Sequence, residues 1–496
     1  MIGPDEFRFL NRSGVLAEVG WSGDQREKLW RYNQHYFDDL NARGARARTH
    51  WHQSLLKDWV EKNPPGQGVG WDPYPTSVRI VNWIKWSLSG NRLPEECLHS
   101  LAVQACWLYD RLEYHLLGNH LLVNAKALLF AGVYFKGAEA DKWKRKGQEL
   151  LAWQLVEQVL RDGGHYERSP MYHNLVLEDV LDLINLFNAY RNEVPRPWTE
   201  TARHMLEWSQ VMRHPDGEVP FFNDTAVGVA PLPEELDAYA KSLGIDVAET
   251  PFPSKCLIDS GYCRLEKGPA VLFLDVGALG PDYQPGHGHA DTLSFELSLR
   301  GRRLLVNSGT STYVHGPERL WQRGTAAHNT VVVDGCDSSE VWSSFRVARR
   351  ARVRNISYEK MEGEILVSAE HDGYERLPQS VVHRRTWRLG KDGLSIRDCM
   401  KGHGRHLVEV YYYFHPDVSL SLDGRVIVAR WRNSMEKVAE LSVDEKLEVS
   451  IEDAEYYPVF GQAVSNQRVV CTAHMEFPVS LVNEITWLVG AGAGGQ

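Results

Sequence analysis

From Trp30 to about Tyr190 the apolar positions recur with the spacing of helices. In LVLEDVLDLINLF, Leu177, Val180, Leu181, Ile184 and Phe187 line one face, and NHLLVNAKALLFAGVYF is similarly helix-like. Several such segments follow one another through short polar connections, with no strand pattern between them, so this half is predicted all-α. After PFPSKCLIDSGYC the period changes to two. AVLFLDVG, TLSFELSLRGRRLLVNSG, NTVVVDG, GEILVSAEHDG, HRRTWRLG, LVEVYYYFHP and RVIVARW read as successive strands separated by Gly, Asp or Asn turns. The connections are too short for crossover helices, which predicts antiparallel sheets. The boundary is placed at Ala248 to Ser254, in AETPFPS.

Composition narrows the classes. The chain has 496 residues and 43% apolar content, enough for two or three packed domains. A formal charge of -10 and the lack of any basic run argue against nucleic acid, although a local basic cleft can exist on an acidic protein. Seven scattered cysteines without a C-x-x-C predict neither a disulfide framework nor a structural zinc module. IGPDEFRFLN after Met1 has no signal-like segment, and no apolar run approaches membrane-spanning length. As written, the chain reads as soluble and unexported, with a periplasmic or secreted location if a signal was trimmed. Seventeen tryptophans and 20 tyrosines hint at sugar stacking, with larger cores as the plainer explanation.

Three stretches concentrate chemistry. In GNHLLVNAKALL, Asn119 and His120 open a helix, where backbone N–H groups and the dipole favour an anion; the plainer reading is a cap and a packed histidine. In DGGHYERSPMYHNL, Ser169-Pro170 is a cap followed by a first-turn proline, which places Tyr172 and His173 at the start of the next helix. A phenol there suits proton transfer, and His165, Glu167 and Arg168 lie nearby. In HGHADTLSFELSL, running the strand phase back from Leu293 puts His287, His289 and Asp291 on the apolar face, a costly placement without partners. A hairpin at Arg300-Gly301 would return Asn307 toward His289, and His328 begins another strand. Two imidazoles and an amide oxygen could hold a divalent ion or form a hydrogen-bonded polar core.

Taken together, the chain resembles the heparinase II/III family of polysaccharide lyases. The resemblance rests on WRYNQHYFDDL (30 to 40), WDPYPTSVRIVNWI (71 to 84), GNHLLVNAKAL (118 to 128), GGHYERSPMYH (163 to 173), HGHADTLSFEL (287 to 297), NSGTSTY (307 to 313) and RGTAAHNTVVVDG (323 to 335), with VVHRRTWRL and YYYFHP further on. It implies an incomplete (α/α) toroid over residues 1–250, an antiparallel β-sandwich over 251–496, and a cleft between them in which uronic-acid polysaccharides are cut by β-elimination. It also implies roles: Asn119 and His120 neutralise the uronate carboxylate, Tyr172 serves as acid and in some cases also as base, and His287 serves as base otherwise. Tyr36, Arg79, Glu167, His173 and Arg323 are candidates for substrate contact, with Arg323 as a carboxylate or sulfate clamp; Trp71 and His115 are weaker ones. The family's structural metal site (Zn, Mn or Ca) matches His289, Asn307 and His328, with Asn307 where relatives often carry Asp and Ser311 where a tyrosine is frequent, so any ion should bind weakly. No organic cofactor is implied. The expected partner is an acidic polysaccharide: a glycosaminoglycan, alginate or bacterial exopolysaccharide. The alternatives are a uronate C5-epimerase, which would return the proton to the opposite face, and a non-catalytic polysaccharide-binding protein, in which Tyr172→Phe would change nothing measurable.

Overall fold

The computed structural model describes residues 1–246 and 254–487, so the expected boundary at Ala248 to Ser254 lies almost wholly outside the described residues. The chain forms two compact units, Met1–Val159 with Val176–Ala202, and Leu160–Leu175 with Arg203–Gln496. The first is the helical toroid and the second the antiparallel sandwich.

In the toroid, helices Thr49–Lys62, Pro73–Leu88, Glu95–Tyr109, Gly118–Tyr134 and Ala138–Gln158 follow in sequence. Gly118–Tyr134 is apolar on nearly every side because nearly every side is buried. Its close approach to Ala138–Gln158 needs Gly132: a Cβ there would sit 2.5 Å from the Lys144 backbone nitrogen. Trp30, Trp59, Trp83 and Trp86 are among the largest fully buried side chains, so much of the tryptophan content serves the core.

In the sandwich, Gly393–Phe414 and Val464–Thr486 pair antiparallel along most of their length, shifting register between Met400 and Gly404. Leu272, Phe295, Leu297, Trp387, Ile396 and Tyr412 belong to the core they share with the neighbouring strands. Residues after Ala202 group with this unit because Trp208, Val211, Met212 and Phe222 pack with Leu257, Tyr262, Val271 and Phe273. The hairpin Phe295–Leu299 to Arg302–Leu305 turns as expected at Arg300 and Gly301, whose φ values of 51° and 83° are those of a type I′ turn.

Three expectations are corrected here. Cys256 and Cys263 lie directly opposite each other on adjacent strands, 4.1 Å apart at Cα, and form a disulfide that cysteine counting could not anticipate. The strand phase does not run back through His287: the strand begins at Phe295, and Leu293, at φ 63°, sits in a turn closed by Ser294 N–H to the Asp291 carbonyl. His328 likewise precedes its strand, which starts at Val331.

Candidate active-site clusters

The residues singled out in the sequence gather in two clusters, one in each unit. In the sandwich unit, Tyr172 stands in the first turn of the helix Pro170–Ala189, its backbone N–H donating to Ser169 Oγ at 3.2 Å. Its ring packs against His287, centroids 4.1 Å apart, and its hydroxyl lies 3.1 Å from that of Tyr313. His287 Nδ1 lies 2.8 Å from Asp224 Oδ2, while Nε2 is 3.7 Å from the buried carboxylate of Glu167. The second oxygen of Asp224 accepts from His289 Nε2 at 2.8 Å. The fully buried Arg319 donates one guanidinium nitrogen to each Asp224 oxygen. Burial alone would raise the Asp224 carboxyl; Arg319, then His287 and His289, outweigh it and hold the group well below the usual carboxylate range.

The loops that build this cluster are held from behind. Ser169 Oγ donates to the Asp224 carbonyl at 2.5 Å, tying the helix start to the loop that carries Asp224. Arg323 is fully buried and spends its donors on the backbone carbonyls of Gly288, Ser343 and Arg346. Burial lowers its guanidinium to about 10. It therefore clamps the chain between His287 and His289, and has no donor directed at a ligand. His173 is also structural: buried, stacked on Trp208 with centroids 4.1 Å apart, and bonded to the Met205 carbonyl at 2.9 Å, with burial lowering it to about 3.

In the toroid unit, Asn119 and His120 lie in the first turn of Gly118–Tyr134, preceded by two left-handed residues, Leu117 and Gly118, at φ 56° and 55°. His120 Nδ1 is 3.1 Å from Glu113 Oε1, and its ring rests on Tyr74, centroids 4.5 Å apart. Asn124 holds Glu113 by donating to Oε2 at 3.1 Å and accepting the Glu113 backbone N–H at 2.9 Å. Asn119 Oδ1 is buried without a hydrogen-bond partner, which costs about 1–3 kcal/mol unless a ligand supplies a donor. Tyr36 is buried edge-on to Tyr74, centroids 6.0 Å apart. Arg79 departs from its expected role: fully buried, it stacks 3.9 Å from the Trp59 ring and donates to Gln104, Thr76 and the carbonyls of Gly70 and His35.

At the residues matched to the metal site, ring nitrogens of both His289 and His328 are buried without a hydrogen-bond partner, whereas the matched amide of Asn307 is already bonded. His289 Nδ1 has no hydrogen-bond partner, and its ring lies 5.4 Å from that of His328. Asn307, however, is spent on the fold: Nδ2 donates to the Phe221 carbonyl at 2.9 Å and Oδ1 accepts from Asn329 N–H at 3.3 Å. The other nitrogen of His289 is taken by Asp224. Among the described residues no three His, Cys, Asp or Glu side chains form a group able to hold a metal ion.

Residues 25–242 match the description Heparinase II/III N-terminus, and residues 249–488 match Heparinase II/III-like, C-terminal. The chain belongs to the heparinase II/III family. It is 30% identical to a heparin-sulfate lyase of Bacteroides stercoris over 63% of this chain and 55% of that protein. It is 28% identical to a heparin-sulfate lyase of Bacteroides thetaiotaomicron over 73% of this chain and 57% of that protein. The chain thus spans little more than half the length of these relatives. The crystal structure of heparinase III superposes with a TM-score of 0.79 at 22% identity, covering 96% of this chain and 80% of that one, which shows the shared fold.

The sequence singled out Tyr172 and His287, which the structure brings into contact, but not their neighbours Asp224, Arg319 and Tyr313, nor Glu113 beside His120. Asp224 follows PFFN in a loop without periodicity, and only the charge of a lone Asp in an apolar stretch marked it.

Proposed function

We propose that this protein is a polysaccharide lyase that cleaves a uronic-acid-containing acidic polysaccharide by β-elimination, leaving a 4,5-unsaturated uronate end. The observation that carries the reading is Tyr172 packed on His287, ring centroids 4.1 Å apart, with a buried carboxylate at the histidine's Nδ1. A phenol and an imidazole in contact at a helix start can donate one proton and accept another, and elimination needs both transfers.

The chemistry assigns the parts. The C5 proton of a uronate is hardly acidic while its carboxylate is charged, so neutralisation must come first. The family resemblance gives this role to Asn119 and His120. A base, His287 Nε2 or the Tyr172 phenolate, removes the C5 proton. Those electrons form the C4–C5 double bond, the C4–O4 bond breaks, and the departing oxygen takes a proton from the Tyr172 hydroxyl. No helix among the described residues is long and apolar enough to cross a membrane.

The test is incubation of the purified protein with sulfated and unsulfated uronate polymers in deuterated water, followed by near-ultraviolet absorbance and NMR of the sugars. Unsaturated ends and shortened chains support the lyase. Deuterium at C5 in an uncut chain would replace it with an epimerase, and binding without either change would replace it with a binding protein.

A further inference from the structure

We propose that Asp224 is the positioning residue that fixes His287 with its proton on Nδ1, leaving Nε2 as the proton-accepting atom, and that Arg319 anchors Asp224 for that task. The catalytic consequence rests on the lyase reading; the tautomer itself does not.

Each Asp224 oxygen takes one imidazole and one guanidinium nitrogen. Oδ2 is 2.8 Å from His287 Nδ1 and 2.7 Å from Arg319 Nη2; Oδ1 is 2.8 Å from His289 Nε2 and also accepts from Arg319 Nη1. An ionised carboxylate only accepts hydrogen bonds, so both imidazoles must present N–H to it. For His287 that places the proton on Nδ1, and in the neutral ring Nε2 is then bare. Glu167 Oε2 lies 3.7 Å from Nε2, beyond hydrogen-bond reach. The guanidinium fork of Arg319 matches a carboxylate, so it keeps Asp224 an acceptor and fixes its plane. Arg319 is fixed in turn, since it donates to the Ser344 carbonyl at 3.1 and 2.9 Å. Such a charge-balanced, buried frame holds one ring orientation.

The experiment is nitrogen-15 NMR of the full chain labelled at histidine, with the His287 signals assigned by their loss in His287→Gln. The expected wild-type spectrum has the His287 proton on Nδ1. Asp224→Asn can donate to Nδ1, so the proton should move to Nε2, with kcat falling about 10²–10⁴-fold and KM nearly unchanged. Asp224→Glu, which keeps a carboxylate, should restore the Nδ1 proton and part of kcat. A wild-type His287 protonated on Nε2, a reading that needs no variant to fold, overturns the proposal. So does an unchanged tautomer in Asp224→Asn. A wild type that cleaves no polymer yet carries the Nδ1 proton sinks the lyase reading and leaves the assignment of Asp224 standing.

Discussion

The toroid and the sandwich each present a histidine whose Nδ1 meets a carboxylate, yet the two pairs are built differently. His120, with 30% of its side chain exposed, meets Glu113 at 3.1 Å, and that carboxylate's other partner is the neutral amide of Asn124. His287, at 14% exposure, meets Asp224 at 2.8 Å, and Arg319 grips both oxygens of that carboxylate. The first pair orients a ring that stays open to water, which suits a group that meets an incoming anion. The second fixes a ring in a buried frame whose charge is already balanced, which suits a proton transfer in which the identity of the nitrogen matters. One local motif thus acquires different uses from what stands behind the carboxylate.

His287→Gln should reduce kcat by about 10³-fold, because it removes a proton-transfer group. His120→Gln, which keeps a donor toward an anion, should cost about tenfold in kcat/KM, a loss of about 1.4 kcal/mol. Steady-state kinetics on one cleaved polymer checks both, and equal losses would break the comparison. Stability should separate the carboxylates in the same direction. Arg319→Gln strands a fully buried charge and should cost about 3–5 kcal/mol, whereas Glu113→Gln should cost about 1 kcal/mol, both read from urea denaturation midpoints. The smallest effect expected is that of metal removal: with Asn307 spent on Phe221 and Asn329, dialysis against a chelator should leave the thermal midpoint unchanged, as followed by circular dichroism. A fall of several degrees would restore a metal to the His289 and His328 pair.

Much of this architecture was legible in the chain. The change of hydrophobic period marked helices before strands, and Ser169-Pro170 marked the helix start that carries Tyr172, because caps and turns are local chemistry. The Arg300-Gly301 turn was legible for the same reason. What was not legible depends on distant partners. Arg79 and Arg323 looked available to a ligand, since nothing in their neighbourhoods in sequence shows that aromatic rings and carbonyls far along the chain consume their donors. Asp224 escaped notice because its partners lie 63, 65 and 95 positions away. The disulfide escaped for a related reason: only the strand register sets Cys256 against Cys263.

The most direct measurement follows near-ultraviolet absorbance during incubation with sulfated and unsulfated uronate polymers, wild type and Tyr172→Phe side by side, with the fold of both confirmed by circular dichroism. A rise with the wild type that collapses by about 10²–10⁴-fold in the variant, at nearly constant KM, is the predicted result. A variant that cleaves as fast as the wild type would contradict the assignment of proton transfer to the pair of Tyr172 and His287.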